Sequence, residues 1–225
     1  MDSTQKDERL FLATLLVLTF VTGMIDAASF LAMGHVFTAN MTGNIVFLGF
    51  ALGGAPGLSA RRSLIALGAA LLGGMLARRL HTWRGTRARS QWLVTAWSVE
   101  AVLLLGSAFA AWISLTAANA SIGICAVIAL TALAMGVRNG TMRRLAVPDM
   151  TTTVLTLTVA ALAFDFSLER EGNQRWRRRV ASIVAMFLGA CVGTMLLRYS
   201  LVVLQVGSAA LTLLCVLTQI FSREE

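Results

Sequence analysis

The sequence predicts an all-α fold: a polytopic transmembrane helix bundle of six spans plus two re-entrant or broken segments, arranged as two inverted repeats. Three observations carry that reading. The chain is very apolar, with 57% hydrophobic residues, 13% charged residues and a mean hydropathy of +0.75, against about 25% charged in an ordinary soluble domain. Its apolar residues form runs of about 18–24, the length that crosses a hydrocarbon core. The runs lack the alternation of membrane β-barrel strands, and helices are the other way to satisfy backbone polar groups in lipid. Finally, its basic residues sit between the runs, where positive loops orient membrane proteins. With two prolines and one tyrosine, there is little material for a disordered or extracellular domain, and residues 1–225 read as one integral membrane domain.

Eight apolar segments follow in order, roughly 10–31, 37–55, 62–80, 92–115, 119–141, 150–166, 179–198 and 200–221. The first follows Lys6 and Arg9, as a signal peptide would. However, Asp2, Asp7 and Glu8 make its leader acidic and no small-x-small cleavage site follows, so it reads as a retained span. The second opens on Asn40-Met41-Thr42-Gly43-Asn44 after the turn signal Gly34-His35. The third carries Gly68, Gly73 and Gly74, and the seventh Gly189-x-x-x-Gly193. Small residues at such spacings let helices approach closely, within the bundle or between protomers of a homo-oligomer. The fourth holds Glu100 roughly 12 Å along its helix. The fifth ends in Arg138, Asn139, Arg143 and Arg144, and the sixth opens on Met150-Thr151-Thr152-Thr153 after Pro148-Asp149.

Charge decides how many of the eight cross. If all do, with the N-terminus inside, 10 basic residues face the cytoplasm and 9 face out, which is no bias. If the second and sixth segments dip in and return, Arg78, Arg79, Arg84, Arg87, Arg89, Arg138, Arg143 and Arg144 join the inner set. The balance becomes 16 inside against Arg61, Arg62 and Arg198 outside, as the positive-inside rule expects. Both termini are then cytoplasmic, in a bacterial inner membrane.

Internal echoes support the same plan, between halves at about 10–115 and 119–221. Gly23-x-x-Asp26 echoes Gly136-x-x-Asn139, Met41-Thr42-Gly43-Asn44 echoes Met150-Thr151-Thr152-Thr153, and Gly73-Gly74-Met75-Leu76-Ala77-Arg78 echoes Gly193-Thr194-Met195-Leu196-Leu197-Arg198. Three full spans per half make the second copy inverted. Inverted repeats with broken helices at their interface are the ground plan of many secondary transporters.

The stretches VTGMIDAASFLAMGHVFTANMTGNIVFLG (residues 21–49) and GVRNGTMRRLAVPDMTTTVLTLTVAALAFD (residues 136–165) resemble the paired signatures of the YoaK-like bacterial membrane-protein family. The resemblance extends over nearly the whole chain. It implies membrane residence and no particular reaction, so transport is an expectation from the residues alone.

Asp26 stands out, because a carboxylate inside a span costs about 2.5–3.5 kcal/mol on insertion scales and normally faces a cavity or a partner. It reads as an ion or substrate anchor, or as a hydrogen-bond acceptor fixing the adjoining turn through Thr42 or Asn44. Thr38, Asn40, Thr42 and Asn44 form one polar opening, and Thr151, Thr152, Thr153 and Thr156 form the other. A helix that starts inside a membrane leaves N–H groups unpaired, which such side chains cap or a polar guest occupies. Arg138 is embedded in an apolar run, with Asp149, Asp165 or Glu100 as its possible partner. A substrate or ion pathway is therefore expected to involve Asp26, Thr38, Asn40, Thr42, Asn44, Arg138, Asn139, Asp149, Thr151, Thr152 and Thr153.

Other functions find little support. The net charge of +8 comes without a nucleic-acid motif, so lipid, not nucleic acid, is the expected partner. Cys125, Cys191 and Cys215 lie singly in apolar runs as small core residues. His35 and His81 read as lone loop histidines facing solvent or headgroups. No phosphate loop, serine elbow, paired-histidine zinc motif or Cys-x-x-Cys is present, so neither an enzyme, nor a metal, nor a cofactor is expected. A channel or secondary transporter for a small polar or ionic solute leads, and a non-transporting scaffold or assembly factor is the alternative.

Overall fold

The computed structural model describes residues 3–84, 89–116, 120–145, 158–160, 162 and 172–221. Seven helices are described: α1 (Ser3–Ala32), α2 (Met41–Leu52), α3 (Ala60–Arg84), α4 (Arg89–Thr116), α5 (Ala120–Leu145), α6 (Gly172–Leu197) and α7 (Leu201–Phe221). All but α2 are long and apolar enough to cross a membrane, over 21–25 residues each. All of these but α7 begin or end beyond their apolar runs, because leaving the hydrocarbon does not end a helix whose flanking residues are good helix formers. The 12 residues of α2 reach about 18 Å, well short of a hydrocarbon core of about 30 Å.

Two core clusters fix the directions of the helices. At one end Leu15, Trp92, Leu93 and Val216 pack with Met142 and Leu145, joining the starts of α1 and α4 to the ends of α5 and α7. At the other end Ala28, Ala66, Ala111, Val127 and Leu204 pack with Leu196 and Leu197. The six long helices therefore alternate in direction, and the chain leaves α1 and enters α3 at the same end. The polar-headed segment between them turns back without crossing, as its composition predicts. The sixth apolar segment, with Asp149, Thr151, Thr152, Thr153, Thr156 and Asp165, lies outside the described residues apart from 158–160 and 162.

Glycines set the closest helix approaches. A Cβ on Gly73 of α3 would collide with the Leu133 carbonyl of α5 and come within 2.9 Å of the Gly136 Cα, and one on Gly136 would meet the Ala70 backbone. A second interface repeats this between α1 and α6. There a Cβ on Gly23 would strike the Met186 carbonyl, one on Gly189 the Phe20 carbonyl, and one on Gly193 would lie 2.8 Å from the Met24 Cα. The Gly189-x-x-x-Gly193 pair is thus used inside the bundle.

Candidate functional site

Three polar side chains of α1, Thr22, Asp26 and Ser29, share one helical face and are buried. They meet the segment that follows α1. His35 (φ 57°) and Gly34 (φ 87°) adopt left-handed backbone and reverse the chain. The descending stretch is then tied back to α1. Ser29 Oγ accepts from the Thr38 N–H at 3.3 Å and donates to the Asp26 carbonyl at 3.1 Å. Asp26 Oδ1 accepts from the Ala39 N–H at 3.2 Å, and the Asn40 N–H is directed at the same carboxyl. The Phe37 N–H donates to Asn44 Oδ1 at 2.9 Å, while Asn44 Nδ2 donates to the Phe37 carbonyl. Phe30, Phe37 and Phe47 stack at 5.4 and 5.6 Å between centroids and hold α2 beside α1.

This geometry corrects two expectations. Asp26 binds the turn through the backbone at 39 and 40, not through Thr42 or Asn44. Asn40 is the residue that caps α2, yet its side chain makes no cap hydrogen bond. Asn44 serves the loop instead, and Thr42 is exposed, outside the buried polar set. Thr38 is fully buried and its Oγ1 has no partner. Asn139 of α5 donates from Nδ2 to the Ala39 carbonyl at 3.4 Å. Asp26 and Asn139, the echoing residues of the two halves, thus clasp the same residue from opposite sides.

One helical turn from Asp26 lies a second polar group. Arg138 of α5 is wholly buried. Its Nη1 donates to the Leu18 carbonyl at 2.6 Å and to Thr22 Oγ1 at 2.8 Å, and its Nη2 pairs with Glu100 of α4, which is equally buried. Of the candidate acids, Glu100 is therefore the partner of Arg138. Thr212 of α7 donates to Glu100 Oε1 at 3.5 Å. Arg138 Nε and Glu100 Oε2 have no partner. Two charges inside lipid are tolerated because each cancels the other and hydrogen bonds take up part of the remainder.

The residues that sequence reasoning missed are on α7. Gln205, Ser208 and Thr212 are fully buried, and Gln219 nearly so. Gln205 Nε2 donates to Thr131 of α5 at 3.1 Å, while Gln205 Oε1 and Ser208 Oγ are unpartnered. Their spacing of three, four and seven residues marks one face of a helix. A polar stripe of that period in an otherwise apolar span was the available signal. Together α1, α4, α5 and α7 carry the buried polar groups of the interior. Thr212, Glu100, Arg138 and Thr22 are linked in a thread, Asp26 follows one turn beyond Thr22 on α1, and Gln205 is joined to Thr131.

His81 departs from its expected loop position. It lies within α3, half-buried, accepts from Arg144 Nε at 3.1 Å and packs edge-on against Trp92 at 5.0 Å. Both line a cavity of about 590 Å³ at the arginine-rich end, with Arg78, Arg143 and Arg144. Among the described residues no group of three or more His, Cys, Asp and Glu side chains is placed to hold a metal ion. The three cysteines are free, and Cys215 is buried as a small core residue.

The family model described as "Protein of unknown function (DUF1275)" matches residues 14–218. The chain is also similar to the UPF0700 transmembrane protein YoaK of Bacillus subtilis (strain 168), with 32% identity over 191 residues, which is 81% of each chain. No solved structure matches it significantly. With six membrane-crossing helices and a match over nearly its full length, the chain belongs to the DUF1275, YoaK-like family of multi-span membrane proteins.

Proposed function

We propose that the protein is a channel or secondary transporter for a small polar or ionic solute, built on two inverted repeats in a bacterial inner membrane with both termini cytoplasmic. The observation that carries this reading is the set of unpartnered polar atoms in the bundle interior: Glu100 Oε2, Arg138 Nε, Asn139 Oδ1, Gln205 Oε1, Ser208 Oγ and Thr38 Oγ1. Folded proteins pair the great majority of such atoms with protein or water, and each one left unpaired costs about 1–3 kcal/mol. Six in one bundle interior are the lining expected of a path that water or a polar solute occupies.

The repeat reading rests on correspondence between the halves. Exchanging α1 with α5, α3 with α6 and α4 with α7 maps the glycine-mediated α3–α5 contact onto the α6–α1 contact. Burial of the apolar stretches follows the same exchange: 56% and 50% in α1 and α5, 22% and 17% in α3 and α6, and 39% in both α4 and α7. Asp26 and Asn139, the echoing pair, both bond to Ala39, which supports the same correspondence. The pathway is then Asp26, Thr38, Asn40, Asn44, Arg138 and Asn139 from the described residues, with Asp149, Thr151, Thr152 and Thr153 completing it from the second half.

Proteoliposomes test this. A potassium diffusion potential with a pH-sensitive dye inside reads ion or proton flux, and light scattering after a glycerol or urea gradient reads neutral solutes. Flux above protein-free vesicles that is lost in Asp26→Asn supports the pathway. Flux that survives both Asp26→Asn and Asn44→Ala removes this assignment of the site. A second reading, a non-transporting scaffold or assembly factor, is favoured by one observation: Asp26 and Asn44 are both engaged in holding the backbone of residues 37–40. It predicts no flux at all and a less stable fold in Asn44→Ala and Asn139→Ala, each of which removes a bond to that backbone.

A further inference from the structure

The cavity at the arginine-rich end is separate from the polar thread and has a chemistry of its own. It lies between α3, α4 and α5, with Gly74, Ala77 and Gly140 among the residues that form its walls. Small side chains there leave the helices close but the space between them open. Arg78, Arg143 and Arg144 line it, no acidic residue does, and none of these three arginines is in an ion pair among the described residues. All three are exposed, so their guanidiniums form a solvent-facing rim that favours an anion in the hollow.

Two further donors belong to residues that line the same cavity, His81 and Trp92. His81 accepts from Arg144 at Nε2, and an imidazole that accepts there carries its proton on Nδ1; that Nδ1 is buried and has no partner. Trp92 is 5% exposed, and its indole N–H, which can only donate, is also buried without a partner. The hollow therefore gathers N–H donors from Arg78, Arg143, Arg144, His81 and Trp92, with no carboxylate among its lining. The indole N–H of Trp97 is also buried without a partner, but of the two tryptophans only Trp92 lines this cavity, where an acceptor can reach it.

We propose that this cavity binds a phosphate group, borne by the headgroup of an anionic lipid or by a free phosphate ion. Phosphate matches the donor set because its several acceptor oxygens can take forked guanidinium bonds and single N–H bonds together. The volume falls within the range of small-ligand sites. The location suits either source, since basic pockets between helices at a membrane face receive lipid headgroups and are also open to soluble anions.

Thermal unfolding of the purified full chain tests this. One arm uses neutral detergent with sodium phosphate against sodium chloride of equal ionic strength; the other uses nanodiscs of phosphatidylcholine with and without phosphatidic acid. The midpoint is expected to rise in at least one arm. Arg143→Gln/Arg144→Gln is expected to raise the half-saturating concentration roughly ten-fold or more. Trp92→Phe weakens binding several-fold, and Arg198→Gln at the far end leaves it unchanged. A rise with phosphate alone assigns the site to a free anion, and a rise with phosphatidic acid alone assigns it to lipid. The proposal is overturned by a rise in neither arm, or by equal rises in wild type and the arginine variant. Should the double variant fail to fold, Arg78→Gln serves in its place, because that side chain is exposed and is in no ion pair among the described residues.

Discussion

Arg138 is the residue on which most of the interior depends. It joins α5 to α1 through Leu18 and Thr22 and to α4 through Glu100. Removing one partner of a buried pair leaves the other charge uncompensated, at about 3–5 kcal/mol. Glu100→Gln or Arg138→Gln alone should therefore lower the unfolding midpoint or the yield of folded protein sharply. The double variant should lose less than the sum of the two, as expected for residues in contact. Detergent-resistant unfolding of the four proteins measures this, and additive losses would mean that the two side chains are not coupled. Glu100 and Arg138 were both visible in the sequence as charges inside apolar runs, but their pairing was not. Choosing Glu100 over Asp149 or Asp165 needs the packing of α4 on α5, and no spacing along the chain encodes it.

At the scale of elements, α2 and its entry loop show what local chemistry can and cannot fix. Gly34-His35 marked the reversal, and the balance of basic residues marked the segment as one that returns to the face it left. Capping of the helix start was one of the two roles open to its Asn and Thr residues, and Asn40 does not perform it. Instead Asn44 reaches back to residue 37, and Asp26 and Ser29 of α1 hold residues 38 and 39. A side chain presented by a neighbouring helix outcompeted the local cap, which propensity along the chain cannot foresee. Asp26→Ala is predicted to leave the Ala39 N–H unpaired, costing about 1–3 kcal/mol, and to loosen this segment ahead of the rest. Hydrogen exchange localised to residues 33–45 should rise while exchange in α3 and α5 stays unchanged. The glycine interfaces behave differently, because they have no slack. Gly136→Leu and Gly189→Leu each force backbone apart and should cost about 1–3 kcal/mol or more; a gel-filtration profile and unfolding midpoint equal to wild type would show that the close approaches are absent in the membrane.

For the molecule as a whole, composition and the positions of the arginines were enough to foresee six crossings, and the alternation of helix directions follows from them. The polar stripe of α7 went unread, because Gln205, Ser208, Thr212 and Gln219 are each unremarkable singly and become a surface only once the helix is wound. The echoes between the halves were legible as words. Their consequence, two echoing residues meeting on Ala39, required three dimensions. If the halves are inverted copies around that meeting point, Asn40 and Thr153 are reached by water from opposite faces of the membrane.

Cysteine accessibility measures this directly, in intact cells and inverted vesicles, with Cys125, Cys191 and Cys215 first replaced by alanine. A small water-soluble thiol reagent should label Asn40→Cys from the arginine-poor face and Thr153→Cys from the arginine-rich face, each well above Leu71→Cys, a lipid-exposed baseline on α3. Labelling of both from the same face, or of neither in a folded protein, would contradict the inverted arrangement and the aqueous path together.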